Sequence, residues 1–147
     1  MAFLDTSKKP FINDRNENVF LGIDFPFRRS LGTEGWFAST TTTIDTVKED
    51  IRMLLMTEKG ERILQPNLGI GIRKYLFLPF EEETEIQIHN EIASTLSNWL
   101  PHVEIKRLDI QTGEPDYLGR NSLKIFISFN IIKDPNTLES VGVEIGI

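Results

Sequence analysis

The chain contains no cysteine. That removes disulfide staples and thiolate nucleophiles together, and it fits a protein assembled in a reducing cytoplasm. Histidine is nearly absent as well: only His89 and His102 occur. Glu85 and His89 are four apart, a spacing that can put two ligands on one helix face. Nothing else clusters with them, so no metal is expected, and no cofactor. No apolar run approaches the ~20 residues that cross a bilayer. The opening "MAFLDTSKKPF" has no basic stretch followed by an apolar one, so it does not read as a secretory signal. There is no Gly-x-Ser-x-Gly elbow for a serine nucleophile. Gly69-Ile70-Gly71 lacks the third glycine and the preceding strand of a phosphate loop, and reads as a flexible turn.

An excess of positive charge is missing too. Against 16 basic side chains stand 22 acidic ones, a net charge of −6. The excess is concentrated in residues 81–147, which hold five basic and twelve acidic side chains. Such a surface does not neutralise phosphates, so nucleic acid and membranes are disfavoured as partners. An acidic half is ordinarily a solvated surface. The sharper reading is a face that meets a basic protein.

What is present is enough chain, 147 residues, for one domain with a real core. Residues 1–38 have little regular period, yet they contain Phe3, Phe11, Phe20, Phe25, Phe27, Trp36 and Phe37. A disordered tail would be poor in aromatics. These residues read as an extended N-terminal arm, part of the same unit, whose aromatics either complete the local core or anchor the arm on a neighbour.

Residues 39–147 read as a single domain. Ile44, Val47, Ile51, Leu54 and Leu55 recur at helical spacing. Thr42 with Asp45, or Thr43 with Thr46, is placed to cap that helix, and Gly60 is placed to end it as the C′ residue. A short helical turn is expected between Ile70 and Phe77, ended by Pro79. A second main helix spans Glu81 to Leu100. Acidic residues crowd its first turns, where the helix dipole favours them. Ile86, Ile88, Ile92, Ala93, Leu96, Trp99 and Leu100 form its apolar face, and Pro101 stops it. The remainder alternates like strands. Val103 and Ile105 change phase with Leu108 and Ile110, which predicts a bulge at Lys106-Arg107. Leu123, Ile125, Ile127, Phe129 and Ile131 alternate strictly, Asp134 to Asn136 read as a turn, and Val141, Val143, Ile145 and Ile147 alternate to the last residue. The fold class is α+β: two main helices packed on a small, mainly antiparallel sheet, with the aromatic arm extending from it.

Chemistry is thin. Glycoside hydrolysis needs two carboxylates flanking the bond, one with a raised pKa. Glu58 and Glu61 are close enough in sequence, but they sit at a charged helix end with nothing apolar to set them apart. The terminal strand is more informative. An edge strand offers unpaired N–H and C=O groups, and strand addition is a recognised mode of protein recognition.

The order of these features resembles the small baseplate-wedge, or sheath-initiator, protein of contractile phage tails. Relatives of that protein occur in type VI secretion systems and contractile bacteriocins. The family pattern is an apolar helix, then T-x-x-G-E-R, then P-x-x-G. This chain reads Val47, Ile51, Leu54 and Leu55, then Thr57, Gly60, Glu61 and Arg62, then Pro66 and Gly69. "GIDFPFRRS", Gly22 to Ser30, is similar to the family's Pro-aromatic entry segment. One departure stands out. Many members carry an acidic-Pro-Arg triplet after the second helix, and here the position reads Leu100-Pro101-His102, so only Pro101 is retained.

The resemblance implies a structural part of a tail baseplate and no enzyme. It implies partners among the other wedge proteins, whose helical core would hold it, and the tail sheath protein, whose first ring it would initiate. Tube or hub proteins are further candidates, and six copies per baseplate are implied. The expected interface residues are Thr57, Gly60, Glu61, Arg62, Pro66, Gly69, Pro101 and the strand Val141, Val143, Ile145 and Ile147. Arg62 is expected to bridge the helix end to a carboxylate or carbonyl. Deleting the terminal strand is expected to leave a folded chain that no longer seeds sheath. The alternative is a lysozyme-like peptidoglycan hydrolase of the tail, since some members carry that label.

Overall fold

The computed structural model describes residues 20–30, 36–79, 81–113, 122–132 and 134–146. Phe3, Phe11, most of the 112–122 turn and Ile147 lie outside the described residues.

Helix α1 spans Thr43–Met56 and is capped by Thr42. The Thr42 hydroxyl accepts the Asp45 N–H at 3.2 Å and donates to the Asp45 carboxylate at 2.6 Å. One side chain thus satisfies an orphan N–H and orients an acid in the first turn. The helix buries Val47, Ile51, Leu54 and Leu55 as one stripe. It ends before Gly60. Both the N–H and the hydroxyl of Thr57 donate to the Met53 carbonyl, at 3.0 and 2.6 Å, while the Thr57 backbone is already extended. Thr57 therefore terminates the helix with its own side chain. Gly60 is not the C′ residue; it occupies the next turn at φ 88°.

A 3-10 helix follows over Ile72–Phe77 and buries Ile72, Tyr75 and Leu76. Its period of three brings Ile72 and Tyr75 onto one face. Helix α2 spans Glu82–Trp99 and buries Ile88, Ile92, Thr95 and Leu96. Ile86 and Trp99 do not join that face, being 54% and 36% exposed. Ile86 precedes Ile88 by two residues, about 200° around a helix, so the stripe through Ile88 and Ile92 turns Ile86 to solvent. Pro101 sits in the turn that follows, where the Val103 N–H donates to the Leu100 carbonyl at 2.9 Å.

Strands β1 (Gly22–Ile23) and β2 (Ser39–Thr40) form a small antiparallel pair beside the start of α1. The Thr40 and Thr46 hydroxyls meet at 2.8 Å. The described part of the aromatic arm is thus held at home, although Phe27, Trp36 and Phe37 remain largely exposed.

Strands β3 (Val103–Gly113), β4 (Ser122–Ile131) and β5 (Asp134–Gly146) form an antiparallel sheet in that order. Its register shifts between Ile105 and Arg107, where the apolar phase changes in the sequence. Leu123, Ile125, Ile127, Phe129 and Ile131 of β4 all point into the core, which α1 and α2 cover. Phe129 is fully buried. Asp134 to Asn136 do not form a turn. They belong to β5, and Asp134 already pairs with Ile131. A proline fits there because β5 is an edge strand, where a missing N–H need break no ladder bond.

The terminal strand is firmly at home. β5 pairs with β4 through Gly146, Val141 and Ile145 are buried, and Val143 packs partly against the core. Gly142 does not loosen the register. The Phe126 ring lies across it, and a Cβ at that position would come within 2.9 Å of the ring. Among the described residues, no strand pairs with the other edge of β5.

Candidate docking groove

The segment between α1 and the 3-10 helix folds back on the end of α1. The Thr57 carbonyl accepts the N–H groups of Ile70 and Gly71 at 3.1 and 3.4 Å. Gly69 makes that return possible. Its φ is 104°, and a Cβ would lie 2.3 Å from the Thr57 carbonyl oxygen. The Gly60 N–H donates to the Pro66 carbonyl at 2.8 Å. The Glu61 carboxylate accepts the Glu58 N–H at 3.0 Å, and the Glu58 carboxylate accepts the Arg73 N–H at 3.2 Å. Thr57, Gly60, Glu61, Pro66 and Gly69 therefore work together as a clamp that closes this loop.

Arg62 behaves differently. Its guanidinium meets the Met53 sulfur at 3.2 Å, and among the described residues it pairs with no carboxylate or carbonyl. The helix-end bridge expected from the sequence is replaced by this sulfur contact.

A second clamp was invisible in the sequence. Glu91 of α2 receives Lys59, Lys74 at 2.8 Å and the Tyr75 hydroxyl at 2.6 Å. These donors come from positions 16 to 32 residues away, so no local spacing announces them. Burial alone would raise the Glu91 pKa, but the hydrogen bonds from Lys59, Lys74 and Tyr75 outweigh it and hold the carboxyl at about 2. Its folded value thus lies below the ordinary 4.5. The stabilisation it brings is fully present above the unfolded value and is lost as pH falls towards the folded one. Glu91→Gln is expected to lower stability at pH 7 by about 1–2 kcal/mol, after allowance for solvent screening. The gap to wild type should shrink between pH 4.5 and 2, as read by urea melts across that range.

Beside the first clamp lies an open groove of about 920 Å³. Phe25, Pro26 and Phe27 of the arm form one wall. Arg52, Met53 and Met56 of α1, with Thr57 just past its end, form the floor, Glu61 and Arg62 one end, and Gly142, Val143 and Glu144 of β5 the other wall. Met56 is 57% exposed there. Below the groove, the Glu49 carboxylate takes the Arg52 guanidinium at 2.6 Å, and its Oε2 has no hydrogen-bond partner among the described residues. Burial pushes the Glu49 carboxyl up, against the opposing pull of Arg52.

Of the expected interface residues, the groove brings together Thr57, Glu61, Arg62 and Val143. Gly60, Pro66 and Gly69 shape the loop behind it. Pro101 is not part of it, and Val141 and Ile145 face the core. Sequence reasoning missed Met53 and Met56. Their signal was available: two methionines three apart, off the buried stripe of α1, in a residue type that suits adaptable binding surfaces.

Residues 42–136 match the family described as baseplate wedge protein gp25. The baseplate wedge protein gp25 of Enterobacteria phage T4 is 22% identical over 107 residues, which span 73% of this chain and 78% of that protein. Among solved structures, a chain of the anti-feeding prophage baseplate is 26% identical, with a TM-score of 0.60 over 76% of this chain and 85% of its own. A protein of Geobacter sulfurreducens, provisionally assigned as a tail lysozyme, is also 26% identical, with a TM-score of 0.58 over 74% of this chain and 94% of its own.

Proposed function

Because this chain belongs to the gp25 family of baseplate wedge proteins, components of the contractile tail baseplate, we propose that its particular task is to join the wedge to the first sheath ring. A sheath segment adds to the outer edge of β5 and lays alternate side chains into the groove beside it. The observation that carries this reading is the adjacency, at Gly142, Val143 and Glu144, of an apolar groove and a strand edge that no strand of the described residues pairs with. Backbone groups of the edge supply the ladder, and the groove supplies the side-chain specificity. Six copies per baseplate, contacts with the wedge's helical core and contacts with tube or hub proteins complete the proposal.

The role is structural and not lytic. Glu58 and Glu61 are the carboxylates a hydrolase would need. Each accepts a backbone N–H of the clamp instead.

Met56→Lys tests the reading. The side chain is more than half exposed, and a lysine in the last turn of a helix is favourable to the dipole. Stability should hardly change. Sheath seeding by reconstituted baseplates should fall about tenfold or more, because a strand seated in the groove would bury that ammonium. Ile132→Lys, another exposed position but not in the groove, should seed normally. Equal seeding by both variants would sink the reading.

A further inference from the structure

The loop clamped by Thr57 and Gly69 carries a feature that its own fold does not use. Ile63 and Leu64 are adjacent, and they are 94% and 95% exposed. Single exposed apolar side chains are normal on a protein surface, but a contiguous apolar feature more often marks a contact. The backbone around them is fixed. The Gln65 N–H donates to the Arg62 carbonyl at 3.1 Å, the Leu68 N–H to the Gln65 carbonyl at 3.0 Å, and the Gly60 N–H to the Pro66 carbonyl at 2.8 Å. Leu68, four residues beyond Leu64, is buried and pins the far side of the loop. The pair is therefore held outwards on an ordered turn, so docking would incur little further loss of backbone freedom.

The charges beside the pair say what kind of surface it fits. Lys59 is bound to Glu91, and the Glu61 carboxylate is turned onto the Glu58 N–H. Arg62, next to Ile63, touches only the Met53 sulfur and has no carboxylate among the described residues. Glu58 likewise accepts the Arg73 N–H and keeps its charge, so Arg62 is the cation of this tip left without a carboxylate among the described residues. Arginine is enriched at the energetic centres of interfaces.

We propose that Ile63 and Leu64 are a preformed anchor that inserts into an apolar cleft on another baseplate wedge subunit, with a carboxylate at the rim of the cleft to receive Arg62. The choice of a wedge subunit over sheath rests on family membership and on the reading that the groove serves the sheath. A second copy of this chain is the rival occupant. It too has exposed apolar residues, Phe77 and Ile86, close in sequence to the acidic start of α2.

The probe is the wedge subcomplex purified without this chain and titrated with the fluorescently labelled full chain. The double variant Ile63→Ser with Leu64→Ser should bind about 30-fold or more weakly, as loss of a hot spot implies. It should keep the wild-type Tm, since neither side chain packs at home. Arg62→Glu should weaken binding further at low salt than at high salt. Met56→Lys should bind the subcomplex like wild type, which separates this anchor from the sheath groove. Binding of the double variant within about twofold of wild type would overturn the proposal. So would wild-type self-association in sedimentation that the double variant abolishes, because the anchor would then join copies of this chain.

Discussion

Gly69→Ala is expected to cost about 4 kcal/mol or more of folding stability, the range reached by few single substitutions. Two effects add. The backbone at Gly69 sits at φ 104°, a region that costs an L-residue roughly 1–2 kcal/mol. The new Cβ would also lie 2.3 Å from the Thr57 carbonyl oxygen. That oxygen is backbone, at the last turn of α1, and cannot swing aside as a side chain would. Relief requires breaking the bonds from Ile70 and Gly71 to Thr57, and Ile70 and Ile72 are fully buried beyond it. Gly60→Ala supplies the control. Its φ of 88° is similarly unfavourable, but nothing lies within 4 Å of the added methyl. That variant should lose only about 1 kcal/mol. In thermal melts the two should separate by roughly 10 °C, given a few degrees per kcal/mol for a chain of this size. Equal Tm values for the two alanine variants would show that the clamp does not hold the loop.

Truncation after Ser140 should abolish cooperative folding. The removed strand takes away buried Val141 and Ile145 and part-buried Val143. At roughly 1.5–3 kcal/mol for each fully buried side chain, the loss is comparable with the ~5–15 kcal/mol that holds a typical domain together. It also uncovers β4, whose Ile125 and Ile127 would lose their cross-strand partners. Near-UV circular dichroism should show no fixed aromatic environment, and the melt should lose its sigmoid. A truncated chain that melts cooperatively would contradict this placement of β5. The sequence alone led to the opposite expectation, of a folded chain lacking only its function. Alternation of Val141, Val143 and Ile145 says that one face is buried. It does not say whether the cover comes from this chain's helices or from a partner.

That limit recurs along the chain. Short-range signals were legible: the Thr42 cap, the α1 stripe, the alternation of β4 and the bulge near Lys106 all depend on neighbours within a few residues. Elsewhere the sequence misled, because composition alone does not say which of several nearby groups takes a role. Gly60 looked like a helix stop because glycine favours a left-handed cap, but the Thr57 side chain ends the helix first. Ile86 and Trp99 looked like core because they are apolar, but the direction of α2 is set by Ile88 and Ile92. Asp134 to Asn136 looked like a turn because of composition, but pairing with β4 begins at Asp134. The candidate groove was half legible. Thr57, Glu61, Arg62 and Val143 were singled out, yet their meeting with Phe25, Phe27, Met53 and Met56 depends on how the arm, α1 and β5 converge.

The most direct test of the central claim is a cryo-EM reconstruction of the assembled baseplate with its first sheath ring in place. The account predicts a strand of sheath hydrogen-bonded along the outer edge of β5 at Gly142 to Glu144, with side chains resting on Met53 and Met56. An edge left bare in the sheathed baseplate, or one covered by another wedge subunit with no sheath strand along it, would contradict the account.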